Sequence, residues 1–242
     1  MNLMNNVFFI ALPYTSIVVF LLGSIYRYKN SGFQYSSLSS QFLEGNRLFW
    51  STLPFHFGLL VILLGHFLAF LFPRTLLLWN SKSLRLVFLE GIGIIFGLCA
   101  LIGIVALLHR RLFNDRVKVV SSKMDIFIEL LIMIQIILGV WVALYYRWGS
   151  SWFAIELSPY LWSIFLFAPE IDSIVSLPIV VQFHIIIAFC ILLIFPFTRL
   201  VHLLVVPLHY IFRPYQQFIW YWNRKIIRHT NEPWSPTKPK NN

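Results

Sequence analysis

Apolar residues in this chain come in long unbroken runs rather than in alternation with polar ones. Five runs, at about residues 6–26, 48–72, 85–108, 124–146 and 178–204, reach the roughly 20 residues that an α-helix needs to cross a hydrocarbon core. Helix is the reading because a single apolar segment in lipid has to satisfy its own backbone hydrogen bonds. The first run has no basic stretch before it and no small-residue cleavage signal, so it is read as a retained helix rather than a signal peptide. Pro54 is expected in a first helical turn, where its missing N–H is harmless. Pro196 lies deeper in its run and predicts a kink. A sixth apolar stretch, Leu157–Ala168, is short for a crossing. With Trp152, Tyr160 and Trp162 on or beside it, an interfacial helix is expected there.

Composition narrows this to one class. Of 242 residues 59% are hydrophobic and 12% charged, too little polar material to cover the outside of a soluble domain. The expected fold is an all-α integral membrane protein: a five-helix transmembrane bundle over 1–204, then a tail over 205–242. That tail is basic and aromatic (Trp220, Tyr221, Trp222, Trp234) and ends in a Pro-, Lys- and Asn-rich stretch that reads as disordered. Its aromatic part suits either the membrane surface or a cytoplasmic partner.

The net charge of +10 is not spread evenly. With five crossings, one side receives Arg27, Lys29, Arg47, then Arg110, Arg111, Arg116, Lys118, Lys123, then Arg199 and the six cations of the tail. The other receives only Arg74, Lys82, Arg85 and Arg147, so the count is fifteen against four. The positive-inside rule then puts the N-terminus outside and the C-terminus in the cytoplasm. Topology and anionic lipid account for the charge, and no nucleic acid is required. The cations of 110–123 and of the tail offer a docking surface for a cytoplasmic partner. Cys99 and Cys190 both lie in apolar runs and no CxxCH motif occurs, which excludes covalent haem, a cysteine-held iron–sulfur cluster and a zinc finger.

Four histidines stand inside the apolar runs: His56 and His66 on the second, His184 and His202 on the fifth. Imidazole is costly in hydrocarbon, so each is a functional candidate. Two per helix is the count that gives two haem irons two axial imidazoles each, held between helices 2 and 5. Matching depths across antiparallel helices pairs His66 with His184 and His56 with His202. On ideal helices the 18-residue step between His184 and His202 is five whole turns and about 27 Å, whereas the ten-residue step between His56 and His66 gives about 15 Å and a rotation of roughly 80°. Tilt, the Pro196 kink and the glycines Gly58 and Gly65 are the available adjustments, and those glycines also suit close approach of a flat macrocycle. Histidines bonded to neighbouring helices, or lining a proton path in a haem-free transporter, remain as alternatives. His109, beside Arg110 and Arg111, and His229 in the tail are expected to be solvated, and His209 is a poor ligand candidate. Arg199 precedes His202 by three residues on nearly the same face and is the first candidate to hold a haem propionate.

Several of these segments resemble a known family. Pro54-Phe-His56 through Gly65-His66-Phe, Arg110-Arg-Leu-Phe-Asn-Asp-Arg116, and Phe195-Pro-Phe-Thr-Arg-Leu-Val-His202 with Val206-Pro207 are similar to the gamma subunit of membrane-bound respiratory nitrate reductase, a di-haem cytochrome b, over roughly residues 5–220. The resemblance implies a membrane anchor with two non-covalent b-type haems. His66 and His184 would ligate an outer haem, and His56 and His202 an inner one, in agreement with the depth pairing. It implies that quinol is oxidised near the outer haem, that protons are released outside, and that electrons reach an iron–sulfur beta subunit and a molybdenum catalytic alpha subunit in the cytoplasm. Nitrate would be reduced on another chain, since this one holds neither the domain nor the cysteines for it. Gly65 lies on the implied quinol side. The family's quinol-site lysine is matched loosely by Arg85, with Lys82 one turn earlier; arginine keeps the charge but is a planar fork rather than a point donor. Related di-haem subunits of nitrite-oxidising or sulfite- and disulfide-reducing complexes share this pattern.

Overall fold

The computed structural model describes residues 3–31, 46–118 and 121–204; the side chains of 31, 46–49 and 116 lie outside that description, as does the tail over 205–242 with His209, His229 and its tryptophans. Among the described residues the chain is helical apart from short turns and connections, and five helices are long and apolar enough to cross a membrane: Leu3–Asn30, Trp50–Leu71, Ser83–Phe113, Lys123–Tyr145 and Ile179–Phe197. These are the first to fifth spans below.

Neighbours in the bundle follow a simple order. The second span packs on the third, the third on the fourth, the fourth on the fifth, and the fifth on the first. Among the described residues the second and fifth spans make no extended contact with one another. Backbone proximity is what joins the second to the third. A Cβ on Gly58 would stand 2.5 Å from the Phe96 carbonyl oxygen and 2.6 Å from the Ala100 nitrogen, and one on Gly103 would stand 2.5 Å from the Phe55 nitrogen. Small residues at a helix interface are how lipid-embedded helices gain van der Waals contact without a hydrophobic driving force. Gly58 therefore serves helix packing rather than the approach of a macrocycle, which corrects one expectation from the sequence. Gly65 differs, because a Cβ there would meet nothing within 4 Å.

Two larger buried clusters and a small one, Phe195 with Val201, fill the interior among the described residues. Phe55, Ala100, Ile104, Ile128, Ile132 and Ile136 join the second, third and fourth spans. Phe9, Val142, Tyr160, Ile164, Ile174 and Val181 join the first, fourth and fifth to the short helix Ser158–Phe165. That helix, preceded by a π-helical turn Phe153–Leu157, is too short to cross, as expected. Its Tyr160, however, is no interfacial anchor. It is 1% exposed and donates its hydroxyl to the Phe9 carbonyl at 2.8 Å, and burial pushes the phenol above its ordinary range.

Both prolines depart from expectation. Pro54 lies inside the helix Asn46–Leu71, beyond its second turn, rather than in its first turn. Its missing N–H is tolerated where the Gly58 and Gly103 contacts hold the helix in place. Pro196 breaks the last helix instead of kinking it. The α-helix Ile179–Ile194 passes into a 3₁₀ turn Phe195–Phe197, Thr198 is extended (φ −112°, ψ 175°), and a second 3₁₀ segment, Arg199–Leu204, follows. The carbonyls released by this break find a partner on another helix: the Arg27 guanidinium donates to Pro196 O at 2.6 Å and to Thr198 O at 2.7 Å. The whole-turn spacing of His184 and His202 on one continuous helix is thereby overturned.

Candidate functional site

The break brings one histidine pair together. His56 on the second span and His202 on the 3₁₀ segment have ring centres 6.5 Å apart, with 59° between their planes. A metal held between two imidazoles at about 2 Å from each nitrogen sets the ring centres roughly 6 Å apart, so this pair stands at bridging distance. Of the two pairings expected from depth, His56 with His202 is the one seen as a ring-to-ring approach. Among the described residues no cluster of three or more His, Cys, Asp or Glu converges on one point; the histidines come in twos.

Ring chemistry favours ligation. Nδ1 of His56 lies 2.8 Å from Thr52 O, Nδ1 of His66 2.8 Å from Ile62 O, and Nδ1 of His202 2.7 Å from Arg199 O. A carbonyl only accepts, so Nδ1 carries the proton and Nε2 keeps its lone pair. That is the tautomer and support a metal-binding histidine needs. His184 is held differently. Its Nδ1 is buried without a partner, and its Nε2 accepts from the Gln135 amide at 3.3 Å. Gly139 makes room for this ring, since a Cβ there would stand 3.1 Å from His184 Cε1. The residues present fit axial ligation of b-type haem most fully at the His56–His202 pair.

The remaining candidates are dispersed. Arg85 lies over the Trp79 ring at 5.1 Å in a cation–π contact, and Lys82 precedes the third span with extended backbone. Both are exposed, at the bundle end where Gly65 and His66 lie, since residues 72–82 join the second span to the third. At that end Glu90 accepts from the Ser150 amide (2.9 Å) and hydroxyl (2.6 Å), while Asn80 donates to the hydroxyls of Ser150 and Ser151. This tethers the turn that carries Trp148, whose φ of 66° is left-handed. Phe153, just beyond, packs edge-on against His66 at 5.4 Å. A cleft of about 340 Å³ opens among Tyr145, Arg147, Trp152 and Pro178 and includes none of the residues singled out from sequence as ligands or quinol contacts.

Arg199 does not stand alone before His202. Its Nε pairs with Asp125 Oδ1 at 3.1 Å. Two expected docking cations are also occupied inside the bundle: Arg110 is buried, and Arg111 pairs with Asp125 (3.4 Å) and Glu129 (2.9 Å). His109 is exposed as expected and lies against Phe113. Cys99 and Cys190 are free thiols, each half-buried. Asp125, Glu129 and Gln135 were not singled out from sequence. The signal was present, because all three are polar groups in the apolar run of the fourth span, the same ground that marked the histidines.

Residues 5–221 match the sequence model described as "Nitrate reductase gamma subunit". The chain belongs to the nitrate reductase gamma subunit family. It is 36% identical over 221 residues to the "Respiratory nitrate reductase 2 gamma chain" of Escherichia coli (strain K12), covering 87% of this chain and 95% of that one. It is 34% identical over 208 residues to the "Nitrate reductase gamma chain" of Bacillus subtilis (strain 168), covering 84% and 93%. With the E. coli "Respiratory nitrate reductase 1 gamma chain" it shares 31% identity over 224 residues, covering 89% and 97%. This gamma subunit family member is a membrane protein with five apolar helices of spanning length.

Proposed function

We propose that the chain is the quinol-oxidising di-haem cytochrome b subunit of a respiratory nitrate reductase. It would anchor an iron–sulfur beta subunit and a molybdenum catalytic alpha subunit at the cytoplasmic face of a prokaryotic inner membrane. The observation that carries this reading is the His56–His202 pair at 6.5 Å, each ring held at Nδ1 by a backbone carbonyl, in a chain of this family. His56 and His202 hold the inner haem, and His66 and His184 the outer one, with the N-terminus outside. Bound there, two b-type haems supply one-electron transfer across the membrane between quinol and the cytoplasmic subunits.

The chain's own residues do the rest. Backbone carbonyls fix three of the imidazoles by their Nδ1 protons. The apolar spans exclude water around them, and Arg85, Lys82 and Gly65 border the quinol side. Protons leaving quinol emerge at the face where Glu156, Glu170 and Asp172 lie. A redox-titrated optical spectrum of the purified protein, with and without a quinol analogue, tests the reading. Two b-type components per chain are expected, with His66→Ala and His56→Ala each removing a different one. A protein without a Soret band, or His→Ala variants that keep both components, would overturn it and favour a proton path instead.

A further inference from the structure

The sequence pairs Arg199 with a haem propionate; the fold pairs it with Asp125, and this changes what both residues do. Asp125 is 5% exposed, at the first turn of the fourth span. Its carboxylate is fully engaged. Oδ2 accepts from the Ser122 amide at 2.9 Å, closing a capping box in which Ser122 Oγ accepts from the Asp125 amide at 3.1 Å, and Oδ2 also meets Arg111 at 3.4 Å. Oδ1 meets Arg199 Nε at 3.1 Å. A capping box fixes the start of a helix, so Asp125 is a stationary point rather than a mobile surface carboxylate.

Arg199 opens the 3₁₀ segment that follows the helix break, and its carbonyl oxygen accepts from His202 Nδ1 at 2.7 Å. The rest of that turn is fastened too: Thr198 Oγ donates to Phe195 O at 2.9 Å and accepts from the Leu200 amide at 3.2 Å, and Arg27 bridges the carbonyls of Pro196 and Thr198. A continuous path of short contacts therefore runs from the cap of the fourth span through Arg199 to the ring opposite His56.

We infer that Asp125 is a positioning residue for His202: through its ion pair with Arg199 it sets the 3₁₀ turn, and so the ring direction and Nδ1 hydrogen bond, of one imidazole ligand of the inner haem. The inference rests on the cytochrome reading above. A short segment beyond a helix break has few backbone bonds of its own, so its geometry depends on side-chain anchors. His184, inside continuous α-helix, has no such dependence on Asp125, and the outer component serves as the internal control.

The test uses the full chain in membranes, comparing wild type with Asp125→Asn and Arg199→Lys. Asparagine keeps the shape and removes the charge; lysine keeps the charge and loses the Nε fork. The readouts are haem content per chain, a redox titration resolving the two b components, and the low-spin ferric EPR signal, which reports the mutual angle of two axial imidazole planes. Both variants are expected to shift the potential and EPR signal of the component that His56→Ala removes, or to halve its occupancy or worse, while the His66-linked component stays as in wild type. If the His56-linked component is unchanged in both variants, the inference fails and the cytochrome reading stands. If both components fall together in both variants, Asp125 serves the fold and the inference is again overturned. If the wild type binds no haem, the failure belongs to the cytochrome reading itself.

Discussion

Buried polar atoms in this protein are mostly bound to a carbonyl on a neighbouring helix or one turn back, which is how a hydrocarbon-embedded chain avoids stranding them. Tyr160 is the clearest case, since its hydroxyl reaches across 151 residues of sequence to the Phe9 carbonyl. Tyr160→Phe keeps the packing and leaves that carbonyl without its donor, so it is expected to destabilise the protein by about 1 kcal/mol, measured as a lower melting temperature in detergent. The raised pKa of the phenol, caused first by burial and then by Tyr14, favours the protonated form in the folded state. Its contribution to stability is therefore full below the ordinary tyrosine range and is lost as pH rises through and beyond it. In an ultraviolet pH titration of the folded protein, Tyr160→Phe should remove no phenolate absorbance near pH ~10, where an unperturbed tyrosine ionises. A matching loss of one phenolate there would show the hydroxyl to be solvated.

Among the elements, the second and third spans are joined through two glycines, and the fifth span is ended by a proline. Gly103→Ala places a methyl group 2.5 Å from the Phe55 nitrogen, next to His56. The two helices must separate, at a cost of roughly 1–3 kcal/mol. The His56-linked haem component should lose occupancy more than the His66-linked one, and equal loss would separate the glycine contact from the ligand. Arg27→Met removes the donor shared by Pro196 O and Thr198 O. Charge-assisted hydrogen bonds contribute about 1.5–3 kcal/mol, so the variant is expected to be less stable. Its segment around 195–204 should also become sensitive to limited proteolysis in detergent at sites the wild type protects.

Among the described residues, the spans pack in the order second, third, fourth, fifth, first, and His56 of the second meets His202 of the 3₁₀ segment beyond the fifth although those two spans make no extended contact. The asymmetry of basic residues predicts sidedness for this bundle. Lys118 and Asp172 are both exposed and lie on opposite sides in the proposed topology. In a background lacking Cys99 and Cys190, a membrane-impermeant maleimide applied to intact cells should label Asp172→Cys and spare Lys118→Cys; the reverse pattern would invert the orientation. Of the cations in 110–123 whose side chains are described, Lys118 and Lys123 are exposed, whereas Arg110 is buried and Arg111 is paired with Asp125 and Glu129.

The five spans, the histidines in the apolar runs and the family likeness were legible along the chain. Each of these is carried by local composition or by short motifs: hydrophobicity is a property of one segment at a time, and depth follows from counting residues along a helix. Tertiary structure alone decided that Pro196 breaks the last helix rather than bending it, that Gly58 packs a helix, and that Arg199 turns to Asp125. Those outcomes depend on which groups meet across the bundle. A proline in an apolar run reads the same whether or not an arginine 169 residues away waits to take its carbonyl. The ideal-helix spacing of His184 and His202 no longer applies either, because the segment is α-helix around His184 and 3₁₀ at His202. Local pattern selects the elements; contacts between distant polar groups set where each element ends and which way its ligands face.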